Sequence, residues 1–261
     1  MATAQQRPWR PRRRRPHNPV VEGGAEQVVS FVRDLIERKE LRPGDRLPAE
    51  RDLAARLGVS RPTVRMGLHA LGAMGCVESR HGSGTYIPAG PPALDSAPLS
   101  LLAALHDFTH EQMYDARRIL EVGAAGLAAE FATPEQMASL ADEVAGLFGS
   151  MDDPQRFLVH DINFHRQVAL ASGNPIIAAV VEMVSALYYG QRRQTAEQAS
   201  DLDLRDAAAL HRDIYQAIRA HDADAARRLM NEHLVRASAH QAEEREKATL
   251  RPARARRASA R

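Results

Sequence analysis

The chain has 261 residues, enough for one large or two ordinary domains, and with 44% hydrophobic residues it can bury a sizeable core. One cysteine, Cys76, excludes an internal disulfide framework and a cysteine-rich zinc site, and no apolar run approaches the ~18 residues that cross a bilayer. The net charge of +2 is unevenly spread: residues 1–90 hold 16 Lys/Arg against 9 Asp/Glu, 91–240 hold 12 against 21, and 241–261 hold 7 against 3.

A basic first third on an acidic remainder points to a polyanion partner for the N-terminal part. Six arginines, Arg7, Arg10 and Arg12 to Arg15, make most of that bias, so charge alone decides little. Residues 1–20 are rich in Pro and Arg and without period, and a disordered basic tail is expected there. It either adds non-specific phosphate affinity or is a solvated tail. No apolar segment follows the arginines, so a secretory signal is not expected and the chain is placed in the cytoplasm, without a membrane partner.

Val28, Phe31, Val32, Leu35 and Ile36 fall at helical spacing and predict a helix over about 24–40. "LRPGDRLP" is a loop turning at Pro43-Gly44. "AERDLAARLG" predicts a short helix ending at Gly58. "VSRPTVRMGLHALGAMG" predicts a second, with Ser60 as N-cap, Pro62 in its first turn and Gly75 as its stop. "CVESR", "HGSG" and "TYI" read as strand, turn and strand. Together these are a winged helix-turn-helix over residues 21–88. Ala54, Leu57, Val59, Val64, Leu68 and Leu71 would pack its helices, leaving Ser60, Arg61, Thr63 and Arg65 at the exposed start of the second, the part that enters a major groove. Arginine there can donate two bonds to guanine, and Ser or Thr can bind phosphate or a base edge.

The run "LRPGDRLPAERDLAARLGVSRPTVRMGLHALGAMGCVESRHGSGTYI" resembles the DNA-binding domain of the GntR family, over residues 24–87. The resemblance implies DNA contacts from Arg51, Ser60, Arg61, Thr63, Arg65, His81 and Gly82. Without it, Arg51 and Arg65 would pass for ordinary surface arginines.

Residues 89–98, "AGPPALDSAP", form a linker. Beyond it the periodicity is helical, with segments at about 99–106, 109–131, 134–149, 153–172, 175–196, 202–220 and 223–246, and helix starts at Thr133-Pro134, Asp153-Pro154 and Asn174-Pro175. The fold class is therefore mostly α: a small β-wing in the first domain, then an all-α bundle of about seven helices over 99–246. Residues 247–261 read as a second disordered basic tail.

Asp161 and His165 stand four residues apart in an otherwise apolar-periodic helix, so they share one face. His211 precedes Asp222 by eleven residues and His233 follows it by eleven. If the chain reverses at "AHDA", both imidazoles lie ~16 Å from the bend and can face each other. Three imidazoles and a carboxylate suit a divalent ion of the Zn, Ni or Mn class. Nothing in the spacing brings the two pairs of residues together. His160 points about 100° away from Asp161 and is left out. His240 is read as surface, and His17, His106, His110 and His221 as solvated.

"YDARRILEVGAAGLAAE", "FLVHDINFHRQVALASGN" and "LHRDIYQAIRAHDADAARRLMNEHL" resemble the helical ligand-binding (FCD) domain of the FadR branch of the GntR family. The resemblance implies that Asp161, His165, His211 and His233 bind one metal ion. It also implies that Arg117 and Asn174 face an effector. Arg117 could instead pair with Glu121 one turn on, and Asn174 could simply cap the next helix. The expected function is that of a DNA-binding regulator, most readily a repressor. It would bind a pseudo-palindromic operator as a homodimer and respond to a small carboxylate at the metal. Alternatives are a sensor of the metal itself, a metal-dependent enzyme, and an acyl-CoA sensor; the four-residue set argues against the last, since the branch's name-giving member lacks it.

Overall fold

The computed structural model describes residues 23–90, 94 and 96–258, without the side chains of 191, 194 and 247–258. The expected tail over 1–20 and parts of the linker lie outside the described residues. The chain separates into two compact units, Met1–Ala89 and Gly90–Arg261.

In the first unit, helices α1 (Gly24–Glu37), α2 (Glu50–Leu57) and α3 (Arg61–Ala73) precede strands β1 (Glu78–Arg80) and β2 (Gly84–Tyr86). Helix α1 stops short of residue 40 because Lys39 adopts a positive φ of 60° and the N–H groups of Glu40 and Leu41 turn back to the Leu35 carbonyl. Helix α2 ends where Gly58 takes φ 67°, a left-handed conformation that glycine adopts without strain. Ser60 caps α3 by accepting from the Thr63 N–H. The first strand begins two residues later than the sequence suggests, since the Cys76 N–H donates to the Leu71 carbonyl and closes α3 instead. The strands pair antiparallel with Glu78 opposite Tyr86, which makes a wing with its tip at His81–Ser83. Val28, Val32, Leu53, Val64 and Leu71 form the core, and Ala54, Leu57 and Val59 pack against it.

In the second unit the described residues form seven helices: α4 (Ala97–Leu105), α5 (His110–Phe131), α6 (Pro134–Phe148), α7 (Pro154–Ala171), α8 (Pro175–Thr195), α9 (Asp201–Arg219) and α10 (Ala223–Ala258), with a 3₁₀ turn at Ala196–Gln198. The starts are encoded locally. Thr109, Thr133 and Ser200 make capping boxes, and Asp153 and Asn174 accept two backbone N–H bonds each. Helix α5 is the axis of the unit, packing on α7, α8, α9 and α10. Its small residues Ala124, Ala125, Ala128 and Ala129 let those helices approach around Phe164, Ile214, Ile218 and Met230. Helices α9 and α10 form the expected hairpin, with His221 at φ 56° in the bend. Helix α10 continues to Ala258, so the tail expected from 247 is corrected to helix over most of its length. The run is rich in Ala and Arg, both strong helix formers, and Pro252 interrupts it once. Among the described residues, no helix is long and apolar enough to cross a membrane.

Helices α1 and α3 approach closely at Gly67, where an added Cβ would come within 2.6 Å of the Val28 Cβ and 2.9 Å of the Ala25 carbonyl oxygen. Gly67→Ala is therefore expected to destabilise this unit by about 1–3 kcal/mol through overpacking, read as a lower midpoint in urea denaturation.

Candidate functional site

Helix α3 presents Arg61 and Arg65 to solvent at its first two turns, next to Glu50 at the start of α2. Arg65 Nε lies 2.9 and 3.1 Å from the two Glu50 oxygens, and an Arg61 terminal nitrogen lies 3.7 Å from one of them. Glu50 thus pairs with both arginines at the start of α3. Sequence spacing gives no signal for this pairing, because Glu50 and Arg65 belong to different helices. Arg51 is the most exposed of these arginines and lies 3.3 Å from Asp52. The Thr63 hydroxyl is 2.8 Å from that of Ser60, and its methyl packs where a Cβ on Gly24 would sit, so Thr63 has structural work besides any contact with DNA. His81 and Gly82 are exposed at the wing tip. Gly82 has φ 70°, and a Cβ added there would meet nothing within 4 Å, which leaves the tip open to close approach.

In the second unit, α7, α9 and α10 bring Asp161, His165, His211 and His233 together in the interior. One donor atom from each lies within 4.8 Å of all the others, and the four residues are buried. Two ligands opposite one another on an ion, each at ~2.1 Å, are ~4.2 Å apart, so small movements suffice. The His211 and His233 rings are 4.2 Å apart and the His165 and His233 rings 5.0 Å.

The ring nitrogens are sorted by their outer partners. His211 Nδ1 lies 2.7 Å from the Ala207 carbonyl and donates to it, and Glu121 Oε2 lies 2.5 Å from His165 Nδ1. The His211 ring is thereby set with Nε2 inward, and the His165 ring, with Nδ1 beside the Glu121 carboxylate, also turns Nε2 inward, the orientation in which an imidazole can ligate metal. His165 Nε2 meets His233 Nε2 at 3.1 Å. His211 Nε2 is buried without a hydrogen bond, 3.2 Å from Asp161 Oδ1. A buried imidazole nitrogen facing a carboxylate at that distance calls for a positive charge there, either a proton on Nε2 or a metal ion held by both. The donor set of three imidazoles and one carboxylate fits a divalent ion of the Zn, Ni or Mn class.

The electrostatics run the same way. Burial opposes ionisation of Asp161, but the neighbouring imidazoles, His211 foremost, hold its carboxyl well below the usual carboxylate range. Burial, then the charges of His211 and His165, keep the His233 imidazole well below its ordinary value, hence neutral. Behind His165, burial again opposes ionisation of Glu121, while Arg117 and His165 outweigh it and lower its carboxyl to about 2.

Arg117 lies 2.6 Å from Glu121 Oε1 and 4.0 Å from the centre of the Tyr188 ring, and both charged side chains are only 2% exposed. It is thus engaged with Glu121, the alternative that its spacing left open. Asn174 caps α8 through the Ile176 and Ile177 N–H groups. Neither residue lines the cavity of about 40 Å³ beside these four residues, where Arg192, Tyr188, Gln241 and Glu244 stand with Asp161 and His233. Sequence reasoning did not find these residues, because each is one polar position on an ordinary helix.

Two histidine assignments are corrected. His110 is 5% exposed, its ring 4.7 Å from that of Tyr114, since the first turn of α5 lies against α10. His240 is not a free surface group: it lines the cavity and reaches within 3.7 Å of Asp203. His160 lies 2.8 Å from Glu143 and is not among the four converging residues.

A model described as "Bacterial regulatory proteins, gntR family" matches residues 24–87, and one described as "FCD domain" matches residues 112–236. The HTH-type transcriptional repressor NanR of Edwardsiella tarda is 34% identical over 217 residues, 80% of this chain and 82% of that protein. The chain belongs to the GntR family. Its relatives include the NanR repressor of Escherichia coli K12, 32% identical over 82% of this chain and 83% of that one. The solved structure of Streptococcus agalactiae GntR is similar to it with 27% identity and a TM-score of 0.65, over 82% of this chain and 98% of that one.

Because Glu121 fixes the His165 ring, Glu121→Gln is expected to weaken metal binding about 10–100-fold, measured by competition with a chromogenic chelator. Glu50→Ala releases Arg61 and Arg65. It is expected to weaken specific DNA binding more than non-specific binding, narrowing the ratio measured by fluorescence anisotropy; an unchanged ratio would show that Glu50 does not orient them.

Proposed function

We propose that this GntR-family chain is a homodimeric transcriptional repressor of the FadR branch, whose hold on a pseudo-palindromic operator is controlled by a small organic acid bound at a divalent metal in the helical unit. The observation that carries the reading is the inward convergence of three imidazole Nε2 atoms and one ionised carboxylate in a buried pocket. The repressor names of the relatives support the regulatory half, as does the exposed pair Arg61 and Arg65 on α3. The seven-helix count supports the FadR branch. No catalytic role is proposed.

Arg51, Arg61 and Arg65 would meet phosphates and guanine edges, with Ser60 and Thr63 at the helix start and His81 and Gly82 at the wing tip. In the helical unit Asp161, His165, His211 and His233 would hold the ion. When bound, the metal supplies a positive centre that attracts a carboxylate. Arg117 keeps Glu121 ionised, and Glu121 keeps Nε2 of His165 free. Arg192, Tyr188 and Gln241 face the adjoining cavity, where they can orient an acid. An acid changes operator affinity only through unequal affinity for the two dimer geometries. The cavity, at about 40 Å³, holds one or two waters as it stands, and this favours a second reading in which the ion alone is the signal.

Thermal unfolding separates the two. Zinc added to chelator-treated protein is expected to raise Tm, and Asp161→Ala and His211→Ala to abolish the rise. A further rise with members of a panel of acetate, lactate and citrate, together with weaker operator binding, supports the main reading. Loss of operator binding with zinc alone supports metal sensing, and no response to any metal contradicts both. On the DNA side, Arg65→Ala is expected to weaken binding to a sequence selected from random DNA by about 1–3 kcal/mol.

A further inference from the structure

Among the described residues lining the cavity, Arg192 on α8 is the one Lys or Arg. Its terminal NH1 donates to Oε2 of Glu244 on α10. Glu244 lies in the polar run "AEERE", where Glu243, Arg245 and Glu246 are exposed or nearly so, yet it is itself only 1% exposed. Burial pushes its carboxyl up to about 7, although Arg192 and the Thr195 hydroxyl both favour the ionised form and Asp203 opposes it. A fold selected for stability alone would put an apolar or amide side chain here, because a buried ion pair rarely recovers its desolvation. The contact also uses one N–H of a guanidinium that can offer a carboxylate two. A replaceable occupant has these properties.

We infer that Arg192 is a carboxylate-receiving site and that Glu244 is its internal occupant, which a small carboxylic acid displaces on entering the cavity. The inference rests on the proposed reading of this cavity as the effector site, and it names the chemistry: one carboxylate goes to Arg192 in place of another. It also explains how so small a cavity admits a ligand, since the departing Glu244 side chain vacates the space. Glu244 stands on the same helix as His233, so its departure changes what holds the C-terminal half of α10. Occupancy is thereby passed from the pocket to a long helix without any covalent change. The other acidic groups at the cavity, Asp161 and Asp203, repel a second negative charge, so a singly charged carboxylate is preferred over a doubly charged phosphate.

The test uses full-length protein stripped of metal with a chelator, so that the Arg192 site is read separately from the metal centre. In Glu244→Ala, acetate is expected to raise Tm by about 2–4 °C over sodium chloride of equal ionic strength. The wild type should respond less, and Glu244→Ala combined with Arg192→Met not at all. In Glu244→Gln, which keeps the volume and removes the charge, acetate should bind about tenfold more tightly than in the wild type by NMR titration. This second variant decides the matter if the alanine variant does not fold. Equal responses of variant and wild type overturn the inference, and a response to inorganic phosphate as large as that to acetate overturns the carboxylate assignment. Neither outcome touches the metal reading, which fails only if metal has no effect on the wild type.

Discussion

The contact between His211 and Asp161 governs the second unit. The Nδ1 proton of His211 is committed to the Ala207 carbonyl, so its Nε2 lone pair faces a carboxylate oxygen 3.2 Å away inside the protein. Two buried acceptors in contact repel one another unless a proton or a metal ion lies between them. With Nε2 of His165 and His233 turned to the same point, these side chains suit a positive charge among them. The remaining polar residues follow from this constraint. Glu121 holds the His165 ring, Arg117 neutralises Glu121, and Tyr188 lies against the Arg117 guanidinium and accepts from Gln241 Nε2 at 2.6 Å. A chain of polar contacts thus runs from α7 through α5 and α8 to α10.

Much of the fold was legible because its signals are local. Thr133, Asp153 and Asn174, each followed by proline, mark helix starts by a mechanism that needs no distant partner: a side-chain oxygen accepts an otherwise orphaned N–H. Ser60 starts α3 in the same way, and Gly58 ends α2 through its left-handed φ. The local signals were weakest at the element ends. Helix α1 stopped early at Lys39, and helix α10 ran past residue 246 because a charged, alanine-rich run reads as solvated tail or as helix with equal ease.

The site was legible where one element or one hairpin held the geometry. Asp161 and His165 follow from helical spacing, and the symmetric placing of His211 and His233 about Asp222 follows from hairpin arithmetic. Contacts between elements distant in sequence gave no such signal. The Glu50–Arg65 pair, the hold of Glu121 on His165 and the Arg192–Glu244 pair each join two helices whose adjacency no periodicity states. The same blindness put His110 in solvent: its burial comes from the α5–α10 packing, which the first turn of α5 does not reveal.

The central claim is that the four inward donors hold one metal ion, and X-ray absorption at the metal edge of the purified, metal-loaded protein tests it most directly. A first coordination shell containing three imidazole nitrogens and a carboxylate oxygen is expected, with the imidazole multiple-scattering signal reduced by one ring in His211→Ala. A spectrum without imidazole scattering, or one unchanged by that substitution, would contradict it.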